Sequence, residues 1–384
     1  MHALQIYAGP KARQYIERQG LQAADVGTIP GAAGGPKGLI LGPLDRFIFG
    51  PWLGASTHEV HLVGASIGAW RMATACLNQP VAAFERLERD YIKQHYELPQ
   101  GQKRPSAEQV SELFGSNLQD FYGGRVNEVL EHPRYRLHIV TARGRHLLQR
   151  EHKLGTPLGY LGAFLTNTVH RKAMGAWLER VVFSTPGAAL PFASSDYRTR
   201  RVPLSTDNFN PALQASCSIP FVLKAVHDIP GAPRGAYWDG GITDYHLHLN
   251  YAAQTNAIKF IANHAYPTVA ERKNDAQNSQ RTGGLVLYPH FQKSVVPGWL
   301  DKGLKWRHSA THHLDTMVLL APNPEWVKTL PNGKLPDRND FTHYGNDLAG
   351  RMKAWNGAVA ASMQLADEFQ EWLARPELAQ VAPL

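Results

Sequence analysis

Val60-His61-Leu62-Val63-Gly64-Ala65-Ser66-Ile67-Gly68-Ala69-Trp70 is the stretch whose reading decides the fold. Val60 to Val63 have strand character, and Gly64 to Gly68 spell Gly-x-Ser-x-Gly. The run from Ala69 to Leu77 holds no proline or glycine that would break a helix. Strand, sharp turn and helix in that order are the setting in which this motif forms a nucleophile elbow. Gly64 and Gly68 leave room for strand and helix to approach. Ser66 then lies at a helix N-terminus, where free N–H groups and the helix dipole favour developing negative charge. With 34 glycines in 384 residues, the motif arises by chance only about 0.1 times in such a chain, before a flanking strand and helix are required.

Outward from that stretch, the chain punctuates itself as alternating strands and helices. Lys11 to Gln19 is a helix closed by Gly20. Val26 to Ile29 is a short strand that opens into the glycine-rich turn Pro30-Gly31-Ala32-Ala33-Gly34-Gly35-Pro36-Lys37-Gly38, followed by the apolar run Leu39 to Phe49. Backbone N–H groups of such a turn can point at an anion. The turn is neither Gly-x-Gly-x-x-Gly nor a P-loop, which argues against nucleotide binding. After the elbow, Val81 to Glu97 reads as a charged helix with Pro80 at its first position. Ser106 and Gln109 form a capping box. Tyr135 to Thr141, Val181 to Ser184, Ile258 to Ile261, Leu285 to Tyr288 and Met317 to Ala321 read as strands. Thr156 to Trp177 is helical with interruptions, and Tyr344 to Arg375 is a long amphipathic helix ending before Pro376. Strands alternating with helices predict an α/β protein.

Composition narrows the function classes. The chain is 43% hydrophobic, ample for a large buried core, and no low-complexity, repeated or linker-like segment divides it. The expectation is one catalytic domain over 1–384 with insertions. Its motifs lie within about 25–250, and the remainder packs on the same core. Met1 to Gly9 lacks a basic start and a long apolar run, so no secretory signal is read there. Leu154 to Val169 is too short and too polar to span a bilayer. Cys76 and Cys217 give no framework for disulfides or metal, and a cytoplasmic location is the default. The formal charge of +8 favours an anionic partner surface. The charges are dispersed and no nucleic-acid-binding signature accompanies them, so no nucleic-acid partner is expected.

Two further stretches carry chemistry. Ala215-Ser216-Cys217-Ser218-Ile219-Pro220-Phe221 is a small-residue turn into proline. Tyr237-Trp238-Asp239-Gly240-Gly241 places a carboxylate before two glycines. Taken in order, the glycine-rich turn, Gly-x-Ser-x-Gly, the Ala-Ser-x-x-x-Pro block and Asp-Gly-Gly resemble the patatin family of lipid acyl hydrolases. The resemblance spans residues 31 to 241.

The resemblance implies a patatin-like three-layer fold, a central mixed sheet flanked by helices. It implies a Ser66–Asp239 dyad without histidine and an oxyanion hole at Gly34 and Gly35. Gly64, Gly68, Lys37, Gly240 and Gly241 are implied as supporting residues. The activity implied is hydrolysis of carboxylic esters in phospholipid or other acyl-lipid, a serine esterase of lipid degradation. Such attack needs no metal and no organic cofactor. This chain departs from the family pattern in three places. Ala32-Ala33-Gly34-Gly35 stands where the family commonly has Asp-Gly-Gly-Gly. Lys37 stands where arginine is frequent. Ile242-Thr243-Asp244-Tyr245-His246 follows Asp-Gly-Gly, where many members continue toward Asn-Pro.

Other readings compete. An α/β-hydrolase triad needs serine, acid and histidine in that chain order. His308, His312, His313 and His343 supply late histidines, but no His-Gly-Gly-Gly loop precedes Ser66. His308 and His312, four apart, permit metal binding on a helix face, although a packed or solvated pair is the simpler reading. His246 and His248 would share one face of a strand. A non-catalytic lipid-binding module is the remaining alternative. Finally, Leu158, Leu161 and Leu165 fall on one helical face between Arg150, Lys153, Arg171 and Lys172. That face reads either as a lid touching anionic lipid, with peripheral membrane contact, or as a buried core helix with charged ends. No feature of the sequence sets an oligomeric state.

Overall fold

A computed structural model describes residues 1–96, 105–253 and 283–384. It is an α/β structure built on one mixed sheet. In chain order the strands are β1 (Leu4–Ala8), β2 (Val26–Gly31), β3 (Val60–Ala65), β4 (Tyr135–Gly144), β5 (Leu178–Ser184), β6 (Thr199–Pro203), β7 (Val226–His227), β8 (Ala236–Asp239), β9 (Leu285–Pro289), β10 (Met317–Pro322) and β11 (Val381–Pro383). Across the sheet they run β11-β1-β10-β9-β2-β3-β4-β5-β6, with β8 on β4 and β7 on β8. β9, β2, β3 and β4 are parallel neighbours. β1 meets β10, and β4 meets β5 and β8, in antiparallel register. β10 and β5 are buried along their whole length, the pattern of strands covered by helices on both faces.

The register on β4 places the site. β3 runs parallel to β4 and ends with Ala65 opposite Val140. β8 runs antiparallel to β4 and ends with Asp239 opposite Thr141. The tips of β3 and β8 therefore meet over two consecutive residues of β4, and the residue after β3 is Ser66. Two glycines permit the turn that follows. A Cβ on Gly68 would lie 1.8 Å from the Gly31 carbonyl oxygen, and one on Gly64 would lie 2.3 Å from the Ala69 Cα. The helix Ile67–Ala75 can thus lie directly against β2 and β3.

Most expected elements are present with shifted ends. The first helix is Pro10–Gln19, with Gly20 at φ 72° as its stop. The charged helix is Pro80–Lys93, and its expected end at Glu97 lies outside the described residues. The capping box opens Ala107–Tyr122 with both reciprocal hydrogen bonds, at 2.9 and 3.2 Å. The expected strand at Ile258 to Ile261 lies outside the described residues.

Three expectations about the C-terminal helix and the histidines are corrected. The long C-terminal helix is two, Leu348–Ala361 and Met363–Ala374. It breaks at Ser362, whose hydroxyl donates back to the Val359 carbonyl and competes with the helical ladder. His246 and His248 do not share a strand, because Leu247 between them sits at φ 49°. Each instead bonds through Nδ1 to backbone of residues 294–296. His308 and His312 share no helix face either: His308 follows a short 3-10 turn, Lys305–Arg307, and His312 opens another, His312–Leu314.

The interrupted helix is Gly155–Val169, followed after His170 by the 3-10 segment Arg171–Ala176. Its inward face is small and polar: Thr156, Gly159, Tyr160, Ala163 and Asn167. Its outward face carries Leu154, Leu158, Leu161, Leu165 and Val169, each more than half exposed. The buried core-helix reading of this face is thereby overturned. Arg150, itself exposed, pairs with Asp228, and Arg171 with Asp244 and Asp301, while exposed Lys153 and Lys172 also flank the two ends. No helix among the described residues is long and apolar enough to cross a membrane.

Candidate active site

Ser66 occupies φ 56°, ψ −131°, a conformation almost reserved for glycine. Holding it there costs on the order of 1–3 kcal/mol, and such strain clusters at functional positions. The turn is held from both sides. The Ser66 N–H donates to Ser216 Oγ at 3.0 Å, and Ser216 Oγ donates in turn to the Val140 carbonyl on β4 at 2.7 Å. The Ala-Ser-x-x-x-Pro block thus serves as a brace for the elbow. Its helix, Thr206–Cys217, also fixes the Asp239 loop, because the Ser218 and Ser216 carbonyls accept from the N–H groups of Asp239 and Gly240 at 2.9 and 3.1 Å.

With its backbone so placed, the Ser66 hydroxyl donates to Asp239 Oδ2 at 2.7 Å. The other carboxylate oxygen accepts from the Gly241 N–H at 2.7 Å. Both side chains are buried. Burial pushes the Asp239 carboxyl above the ordinary aspartate value. The Ser66 hydrogen bond, the charge of Arg338, the Gly241 N–H and Lys302 pull the other way. A carboxylate made more basic by burial, and hydrogen-bonded to a serine hydroxyl, can accept that proton as the oxygen attacks an electrophile. Cys217 is also buried against this site, and burial pushes its thiol far from the thiolate form, so it offers no competing nucleophile.

A cleft of about 240 Å³ opens onto the pair and is lined by Gly34, Lys37, Ser66, Asp239, Lys302 and Arg338, among others. The glycine-rich turn is anchored by the Ala33 N–H, which donates to the Tyr245 carbonyl at 2.9 Å. The N–H groups of Gly34 and Gly35 have no acceptor among the described residues. The two glycines part company beyond that. Gly34 faces the cleft. Gly35, at φ 58°, borders a smaller cavity with Leu39, Asp45 and Arg71, and its Cα packs beside the Arg338 guanidinium. Lys37 reaches the cleft with its ammonium 5.4 Å from the Phe291 ring centre. Gly240 and Gly241 carry the backbone contacts given above.

None of the histidines weighed from the sequence hydrogen-bonds to Ser66, and none lines the cleft. His308 bonds to the Asp301 carbonyl, and His343 is on the surface. No cluster of three or more metal-binding side chains occurs among the described residues. Sequence reasoning missed Lys302 and Arg338, which belong to stretches without any motif. It also missed the buried charges behind Asp239. Arg180 makes paired contacts with Asp244, at 2.7 and 2.6 Å, and further contacts with Asp196. Asp301 receives Asn167, Arg171 and Arg307 at 2.8 to 2.9 Å. Asp301 directly precedes Lys302, and Asp244 closes the short helix that begins at Gly241.

A scan against protein-family models finds no match to this chain, and no curated protein matches it.

Proposed function

We propose that this protein is a serine hydrolase of the patatin-like type that cleaves carboxylic esters of lipids. The observation that carries the reading is the 2.7 Å hydrogen bond from Ser66 Oγ to Asp239 Oδ2, made by a serine held at positive φ between a strand and a helix. Ser66 Oγ attacks the ester carbonyl carbon while its proton passes to Asp239. The carbonyl oxygen becomes an oxyanion facing the Gly34 N–H, with Gly35 as its expected companion. Collapse breaks the bond to the alkoxy oxygen, which leaves with the proton from Asp239. Water then attacks the acyl-serine, Asp239 takes its proton, and collapse returns that proton to Ser66 Oγ and frees the carboxylic acid. Donors preset for the oxyanion contribute about 3–4 kcal/mol each in comparable sites.

The outward face of Gly155–Val169 supports contact with an anionic lipid surface. Five large apolar side chains stand in solvent between Lys153 and Lys172, where a soluble face would be polar. The patch continues to the cleft. Exposed Phe221 and Val222 follow Ile219 and Pro220, which line it, and the Phe221 ring packs edge-on against Tyr160 of the same helix at 6.1 Å.

A fluorophosphonate probe with peptide mass spectrometry tests the nucleophile, and a panel of short and long acyl esters tests the activity. Labelling at Ser66, with turnover lost in Ser66→Ala, is expected. Labelling elsewhere, or equal turnover by Ser66→Ala, removes the reading in favour of a binding module.

A further inference from the structure

Most buried or half-buried arginines near the site are neutralised. Arg71 is paired with Asp45, Arg180 with Asp244 and Asp196, Arg171 with Asp244 and Asp301, and Arg307 with Asp301. The three cations that line the cleft are not. Among the described residues, Lys37, Lys302 and Arg338 make neither an ion pair nor a side-chain hydrogen bond. The carboxylates near them are already committed. Asp239 serves Ser66 and Gly241, and Asp337 pairs with Lys334 at 2.9 Å.

Each cation is nevertheless held in place. The Lys302 ammonium sits 4.0 Å from the Tyr245 ring centre and 5.7 Å from that of Trp299. Lys37 faces Phe291. Arg338 lies beside the Cα of Gly35, and its backbone sits at the N-cap position of the short helix Asn339–Tyr344, whose Asp340 is fixed by Lys334 and Trp355. Aromatic faces attract a cation without neutralising it, so its charge stays available to a ligand. Three like charges around one cleft repel one another. Partial burial, Arg338 and Lys37 together push Lys302 down to about 8, and burial also lowers Lys37.

We propose that Lys37, Lys302 and Arg338 form an anion subsite that selects esters bearing a phosphate or carboxylate group close to the scissile carbonyl. This deepens the hydrolase reading and rests on it for the chemistry. The subsite itself is a binding claim. It makes Lys302 and Arg338 specificity-determining residues contributed by the part of the chain that carries no motif. An oxyanion seated between them gains charge-assisted hydrogen bonds and relieves their mutual repulsion.

The test compares two monomeric substrates of equal acyl length, the butanoyl ester of glycerol 3-phosphate and butanoyl glycerol, at low ionic strength. Short chains remove any lipid surface, so attraction to a bilayer cannot mimic the subsite. The wild-type protein should favour the phosphorylated ester in kcat/KM by about 10-fold or more, chiefly through KM. Lys302→Gln and Arg338→Gln should each cut that ratio several-fold, and Arg338→Lys should restore part of it. A wild-type ratio near one, or a ratio untouched by both neutralising variants, overturns the proposal. Inorganic phosphate, titrated calorimetrically into wild type and the Lys302→Gln/Arg338→Gln double variant, separates the two claims. If no ester is turned over, the hydrolase reading fails alone. The subsite then stands on weaker phosphate binding by the double variant and falls if wild type binds none. Dependence of the substrate ratio on vesicle-forming chain length, with none for the short esters, assigns the cations to a bilayer headgroup layer and overturns the subsite.

Discussion

At the scale of single residues, Ser66 and Asp239 both sit in conditions that a folded chain resists. Ser66 is strained at φ 56°. Ser66→Gly and Ser66→Ala both lose the hydroxyl, but only glycine accepts this backbone freely. Urea denaturation should therefore find Ser66→Gly more stable than Ser66→Ala by about 1 kcal/mol, and the reverse order would mean that the turn is not strained. Asp239 is stressed by charge. Its folded-state pKa is raised by burial, so the folded state holds the proton more tightly than the unfolded chain. Stability from this group is fully present below the unfolded value of ~3.9 and is lost as pH rises through the folded value. Asp239→Asn removes that loss. At pH 7 the variant should melt higher than wild type while turning over no ester, and the gap should close as the pH approaches ~4. A variant that melts lower at pH 7 would show that the carboxylate is better solvated than its burial implies. In the proposed hydrolysis, the same raised value should place the acid limb of the pH–rate profile above that of a free aspartate.

At the scale of elements, the helix Gly155–Val169 is the sharpest case. Its Leu161 is half exposed, on the face with Leu158 and Leu165. Leu161→Asp should leave the melting temperature within a degree or two, because an exposed charge costs little. It should lower activity on vesicles several-fold more than on a soluble short-chain ester. A fall of many degrees, with equal damage to both activities, would mark the residue as core. Elements like this one were legible because their patterns are local. Strand-forming Val60 to Val63, Gly-x-Ser-x-Gly and the unbroken run Ala69 to Leu77 marked strand, turn and helix, and Ser106 with Gln109 marked a helix start. What depended on partners far along the chain was not legible. Nothing near Asp239 announces that β8 pairs antiparallel with β4 and stops opposite Thr141. The order of motifs, through a family resemblance, paired Ser66 with Asp239; register explains why they touch. Lys302 and Arg338 left no trace, since a cation becomes notable only when its neighbours fail to neutralise it. The break at Ser362 was missed because one serine inside an amphipathic run carries little weight until its hydroxyl bonds backward.

At the scale of the whole molecule, the site depends on charges buried behind it. Arg180 is fully buried between Asp244 and Asp196, tying β5 to the short helix Gly241–Asp244 that follows Asp239. Arg180→Met would leave Asp244 with only the more distant Arg171, at 3.4 Å. Removing one partner of such a buried pair costs about 3–5 kcal/mol, because the remaining charge loses its compensation. Urea denaturation should find a loss of that size, with reduced turnover in whatever fraction stays folded. A loss below about 1 kcal/mol would mean that water replaces the guanidinium. The C-terminal half is integral to the same architecture. β9 and β10 lie between β2 and β1, and the stretches that follow β9 bring Lys302 and Arg338 to the cleft.

The sheet's order also sets a timetable for synthesis. β2 to β6 and β8 pair among themselves, so Ser66 and Asp239 can meet once the chain has passed Asp239. β1 cannot pair until β10 exists, because Leu4 waits for Pro322. At about 5–20 residues per second on the ribosome, that wait is on the order of 15–60 s. Throughout it, the apolar strand β1 lacks both of the strands it pairs with and is open to chaperones or to misassociation. The serine–aspartate pair is therefore synthesised before the strands that close the sheet and before Lys302 and Arg338, two of the three cations of its own cleft.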